Sequence, residues 1–213
     1  MAITRYQIKS GDRLFEQMHC LCVIYASIGV ALRSVAVGFL DRPPMGVIFS
    51  SVGSRNDFLI GIPIHGVVEL TLQNVIPNEI VMESHDVVGE NTSGHQINTT
   101  AKILDSILVP NFIWYYEVYE NEMRAKYGKD FKMWPSEWIF AWCIRNALAH
   151  NNKIHFRDLR HPGASWKLIS ITPDMQGNQL MPGICNGADL IMLMLEMDKY
   201  LENLPNQSLK GSA

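Results

Sequence analysis

The stretch PSEWIFAWCIRNALAHNN, Pro135 to Asn152, decides the fold of this chain. Pro135 suits the first turn of a helix, where its missing N–H has no intrahelical partner. Asn151 and Asn152 form a stop at the far end. At about 100° per residue, Ala141, Ile144 and Leu148 gather on one face, which is the core face of an amphipathic helix. Arg145, Asn146 and His150 share a separate arc of about 140°, flanked by Trp138, Trp142 and Ala149 on the arginine side. Arg145 and His150 are not stacked as an i, i+4 pair would be. They flank a concavity with Asn146 between them, which suits a shared ligand better than a direct bond.

Downstream, the period changes. Lys153–Arg157 (KIHFR) and Trp166–Ile171 (WKLISI) alternate in strand fashion around His161-Pro162-Gly163, so a β-ribbon is expected over about 153–171. A last helix is expected from Asn186, with Asp189 completing a capping-box pattern. Its apolar face is Leu190, Met194, Met197, Leu201 and Leu204.

Upstream, a helix is expected from Thr99 to about Lys126, kinked or split by Pro110 and stopped by Gly128. Its Glu117 and Glu120 could reach the Arg145–His150 site as ligand-orienting carboxylates, but a solvated face is the favoured reading. Leu14, Met18, Leu21, Tyr25 and Ile28 mark a helix within about 12–40, closed by Asp41-Arg42-Pro43-Pro44. A further helix is expected over about 64–75, and 86–98 reads as a loop rich in turn formers. Residues 41–62 carry no clear pattern. The expected architecture is mainly α: a single helical domain over 1–204 with a small C-terminal β-hairpin before the last helix, and a flexible tail over 205–213.

Composition bounds the function. The 213 residues hold 18 Lys+Arg against 21 Asp+Glu, with 47% hydrophobic and 18% charged residues. Such a chain can bury one core, is too apolar for disorder, and is too acidic to coat nucleic acid by bulk charge. The charge is uneven, however. Residues 143–171 contain Arg145, Lys153, Arg157, Arg160 and Lys167 against Asp158 alone, a net +4, so the remainder carries −7. With His155 and His161 added, this strip has the character of a track for an RNA backbone. Cys20, Cys22, Cys143 and Cys185 lack any CxxC pairing and read as buried free thiols of a cytoplasmic protein. The apolar run Cys20–Leu32 is too short to cross a membrane, which takes about 20 residues.

The residue types of the Arg145–His150 segment point to one chemistry. Arginine offers a fixed charge and a planar fork matched to phosphate oxygens. Histidine gives or takes a proton near neutral pH. A neighbouring amide can orient a ribose or phosphate. Together they suit attack of an RNA 2′-hydroxyl on its own phosphodiester, without metal or cofactor, and no dense Asp/Glu/His cluster suggests a metal centre.

RNALAH, Arg145 to His150, resembles the signature of the HEPN superfamily, in which an Arg and a polar residue are followed by a His four to six residues after the Arg. The similarity covers about 135–204; the first half is similar only in being helical. Family members are all-α bundles that commonly dimerise, and many are metal-independent endoribonucleases of toxin–antitoxin and phage-defence systems. The resemblance therefore implies a homodimer acting on RNA, with Arg145 and His150 catalytic, Asn146 in the polar position, and an antitoxin protein as a further partner. It equally admits a non-catalytic RNA-binding or protein-interaction module. Lys153, His155, Arg157, Arg160 and Lys167 are the expected RNA contacts. Some family toxins carry a Tyr two residues after the His, where a partner enzyme modifies it. Here that position is Asn152.

Overall fold

The computed structural model describes residues 3–24, 48–50, 58–61, 70, 73, 75–86, 99–181 and 183–201. The expected helix end at 41–44, most of the expected helix at 64–75, the loop after 86 and the tail from 205 lie outside these residues. The described chain is mainly helical. A helix α1 is described over 15–24, followed by α2 (Thr99–Tyr127), α3 (Ser136–Ala149) and α4 (Gly187–Asp198). None of the described helices is long and apolar enough to cross a membrane.

The first half is not purely helical. β1 (Ile3–Lys9), β2 (Ile48–Ser50), β3 (Phe58–Gly61) and β4 (Glu79–Asp86) form an antiparallel sheet in the order β1-β4-β3-β2. β1 alternates in strand fashion: Ile8 is buried and Tyr6 half-buried, while Arg5, Gln7 and Lys9 face out. The register sets Ile8 opposite Ile80 and Tyr6 opposite Met82, so the apolar residues of both strands share the core face. At the exit of β1, Gly11 adopts a left-handed φ of 99°, and the Asp12 carboxylate accepts the Lys9 N–H at 2.6 Å. This turn delivers Leu14, Phe15, Met18, Leu21 and Cys22 of the next segment into the core.

α2 runs unbroken through Pro110. The proline is exposed, and the Asn111 side chain adds a bond to the Ile107 carbonyl at 2.8 Å in the turn where proline removes a donor. Gly128, at φ 87°, ends the helix by donating its N–H to the Arg124 carbonyl. α4 is the centre of the molecule, lying against α2, α3 and β2. It is buried nearly all round rather than on one stripe, from Gly187 through Leu195 and again at Met197. The predicted capping box is formed: Asn186 accepts the Ala188 and Asp189 N–H groups while Asp189 accepts the Asn186 N–H. Trp138 of α3 is fully buried and donates its indole N–H to the Met197 carbonyl at 3.1 Å. Tyr115 of α2 donates to Asp198 at 3.0 Å. The three helices are thus tied by polar bonds at the end of α4 as well as by packing.

The β-hairpin before α4 exists, with strands other than those expected. β5 (Ala164–Trp166) pairs with β6 (Ile169–Ile171) across the turn Lys167-Leu168, where Lys167 takes φ 51°. Residues 153–157 are not its partner. The Ile154 N–H donates to the Asn178 carbonyl, and the Gly177 N–H donates to the Ile154 carbonyl. The alternation in KIHFR is real, with Ile154 and Phe156 buried, but it answers to the 176–179 segment. Three of the four cysteines are buried as free thiols; Cys20 is exposed instead.

Candidate functional site

α3 carries the motif. Pro135 sits at its N-cap, and the helix ends at Ala149, so His150 is the C-cap residue rather than part of the last helical turn. Asn151 and Asn152 follow at φ 57° and 61°, both left-handed, a conformation asparagine tolerates better than other non-glycine residues. The Asn152 side chain fixes this reversal: its amide donates to the Met181 carbonyl at 2.7 Å and accepts the Met181 N–H at 3.0 Å. Asn152 is thus a structural clamp at the exit of α3. The chain then doubles back, with the Lys153 N–H donating to the Ala147 and His150 carbonyls.

This reversal places His155 over His150. Their ring centroids are 4.0 Å apart at 38°, and Gln176 lies 3.4 Å from His155 Nδ1. Arg145 is arranged separately. Its guanidinium donates to Glu117 of α2 at 2.5 Å and to the Asn146 side-chain Oδ1 at 3.3 Å. The Arg145 side chain is 33% exposed and that of Glu117 49%, so the pair faces solvent. Glu117 therefore belongs to the site and not to an unengaged solvated face, whereas Glu120 makes an i, i+4 pair with Arg124. Within one chain, no hydrogen bond or ion pair among the described residues joins Arg145 to His150.

The other expected RNA contacts lie in three places. Lys153 is exposed, with its backbone engaged at the end of α3. Arg157 and Arg160 border a cavity next to His161. Arg160 grips Asp158 through both carboxylate oxygens at 2.9 to 3.2 Å, which holds the Asp158 carboxyl below its ordinary value. Lys167 is set apart on the hairpin turn. It pairs with Glu196 at 2.9 Å, and Glu196 also accepts the Trp166 indole N–H at 2.6 Å. Its charge is already engaged.

Sequence reading named Glu117 as able to reach the site but favoured a solvated face for it, and it missed the pairing of His155 with His150. The signal for the second was the Asn-Asn stop, which directs the chain back along the helix end. Among the described residues, no group of three or more His, Cys, Asp or Glu is placed to hold a metal ion. Searches against family models, curated proteins and solved structures find no match for this chain.

Proposed function

We propose that this chain is a metal-independent endoribonuclease of HEPN type, acting as a homodimer in a toxin–antitoxin or phage-defence setting. The observation that carries the reading is the imidazole pair at the end of α3, with His150 and His155 4.0 Å apart. Cleavage by the 2′-hydroxyl needs two proton transfers. One group removes the 2′-OH proton as the 2′-oxygen bonds to phosphorus. Another protonates the 5′-oxygen as its bond to phosphorus breaks. The motif alone supplies one imidazole per chain; the fold adds a second, so acid and base are available within one protomer. Arg145, beside Asn146, exchanges its Glu117 partner for the non-bridging oxygens and stabilises the charge that develops on them. A dimer brings the partner's copy of the same group to the cleft.

The test is cleavage of single-stranded RNA in EDTA, with products read as 2′,3′-cyclic phosphate and 5′-hydroxyl ends. Arg145→Ala and His150→Ala should each abolish most activity, and His155→Ala should lower it by about 10²-fold, within the range of general acid–base catalysis. Equal cleavage by wild type and the Arg145 and His150 variants would overturn the assignment. The Arg145–Glu117 ion pair favours a second reading, a non-catalytic RNA-binding or interaction module, because the guanidinium already has a carboxylate partner. That reading expects RNA affinity without turnover, and an Arg145→Ala variant that loses dimerisation.

A further inference from the structure

Beside the motif, Phe131, Trp142 and His161 converge from three separate segments. Their centroids are 5.1 to 5.2 Å apart in every pairing, and their planes lie within 16° of one another. They are stacked on one another with offset and form one half-buried aromatic wall, whose outer ring face is open to a ligand. The Gly163 N–H donates to His161 Nδ1 at 2.9 Å, so Nδ1 is an acceptor and the ring is neutral in this geometry. Burial, and then the nearby Lys132, keep it neutral by drawing its pKa below the ordinary value. His161 therefore acts as a third flat ring and not as a cation.

This wall lines a cavity of about 550 Å³ whose other walls are Lys132, Arg157, Arg160 and Asp158. Arg160 is held by Asp158, but Lys132 and Arg157 make no ion pair among the described residues. Three cations against one carboxylate leave the cavity net positive. A stacked aromatic wall with two available cations matches a ligand that is aromatic on one side and anionic on the other.

We infer that this cavity is a nucleotide subsite: an unpaired base lies against the Phe131–Trp142–His161 wall, and its phosphate is held by Arg157 and Lys132. Base–aromatic stacking requires a base released from pairing, which commits the ligand to single strands. Trp142 precedes Arg145 by three residues on α3, a rise of about 4.5 Å and a rotation of about 60°. A strand seated in the cavity thus continues toward Arg145. The assignment to an RNA strand rests on the reading of the Arg145–His150 site as acting on RNA; the nucleotide chemistry of the cavity stands on its own walls.

The experiment uses the full chain and fluorescence anisotropy with a labelled single-stranded oligoribonucleotide, 2′-O-methylated to prevent cleavage. A hairpin duplex of the same composition and free 5′-AMP serve as the other arms. Trp142→Leu should weaken single-strand binding at least tenfold, and Trp142→Phe, which keeps a ring, should restore it to within about threefold. Arg157→Ala should weaken binding and lower the salt dependence by about one phosphate contact. An abasic strand should bind wild type and Trp142→Leu alike. Unchanged affinity in Trp142→Leu and Arg157→Ala, or equal binding of duplex, overturns the subsite. Trp142-dependent binding of 5′-AMP that is tighter than that of the strand overturns the RNA assignment in favour of a free nucleotide. Cleavage of ordinary RNA without Trp142 dependence in binding overturns the subsite alone. Trp142-dependent binding with no cleavage supports the subsite and overturns the nuclease reading.

Discussion

Replacing Asn152 by alanine should unfold the exit of α3 more than its half-buried position suggests. The side chain makes two hydrogen bonds to the Met181 backbone, each worth about 1 kcal/mol net. Alanine at φ 61° adds about 1 kcal/mol of left-handed strain beyond what asparagine bears there. The expected loss is therefore about 3 kcal/mol, which for a chain of this size lowers Tm by about 6–12 °C. Asn152→Gly separates the two causes. It forfeits the same bonds but accepts the positive φ, and its greater freedom when unfolded returns part of that advantage, so about 2–2.5 kcal/mol should be lost. Asn152→Asp keeps the acceptor for the Met181 N–H and sets a carboxylate against the Met181 carbonyl, so it should fall near glycine. Urea denaturation followed by circular dichroism measures all three. A loss below about 1 kcal/mol for Asn152→Ala, or a glycine variant less stable than the alanine one, would refute the clamp.

Three further outcomes are expected. Gly187→Ala would place a Cβ 2.6 Å from Leu108 Cδ1 and 2.9 Å from Asp105 Oδ1 at the buried start of α4, costing about 1–3 kcal/mol by overpacking; thermal melting with no loss would contradict this. His161 favours the neutral form when folded, so its contribution to stability is present above the ordinary histidine value and is lost as pH falls through its lower folded one. Between pH 7.5 and 5, wild type should lose more Tm than His161→Phe, and parallel curves would count against the buried neutral ring. Glu117→Gln should change stability by less than about 1 kcal/mol, since the pair is solvent-facing. Removing that competing carboxylate should tighten RNA binding severalfold at low salt and less at high salt. Weaker binding would show that Glu117 positions Arg145 rather than competing with phosphate.

The helices legible in the sequence are those whose signals are local. α3 has Pro135 and the Asn-Asn stop, α4 its capping box, and α2 its long apolar pattern ended by Gly128. The sheet was hidden for a different reason. β1 alternates visibly, yet its partner lies beyond Pro77, where Ile8 meets Ile80, and no turn links the two. Period alone cannot name a partner seventy residues away. The same limit governs the ribbon, since KIHFR alternates as a strand but pairs with 176–179. In the site, Arg145, Asn146 and His150 were readable because one helix spaces them. Phe131 and Lys132 were not, because tertiary packing brings them from the short 3₁₀ turn at Phe131–Met133, and of Glu117 only the possibility of reaching the site was readable, not its pairing with Arg145. Lys167 looked available on charge alone, and only the approach of Glu196 engages it.

The position of α4 in chain order has a consequence for how the molecule forms. The helix that α2 and α3 both pack against emerges after them. Until residues 187–201 have been made, Trp138 lacks the Met197 carbonyl and Tyr115 lacks Asp198, and the apolar faces of α2 and α3 have no common partner. The polar bonds that tie α2 and α3 to α4 therefore form only once this helix has been made. The imidazole pair just past the end of α3 and the aromatic wall that includes its Trp142 gain the support of α4 only then.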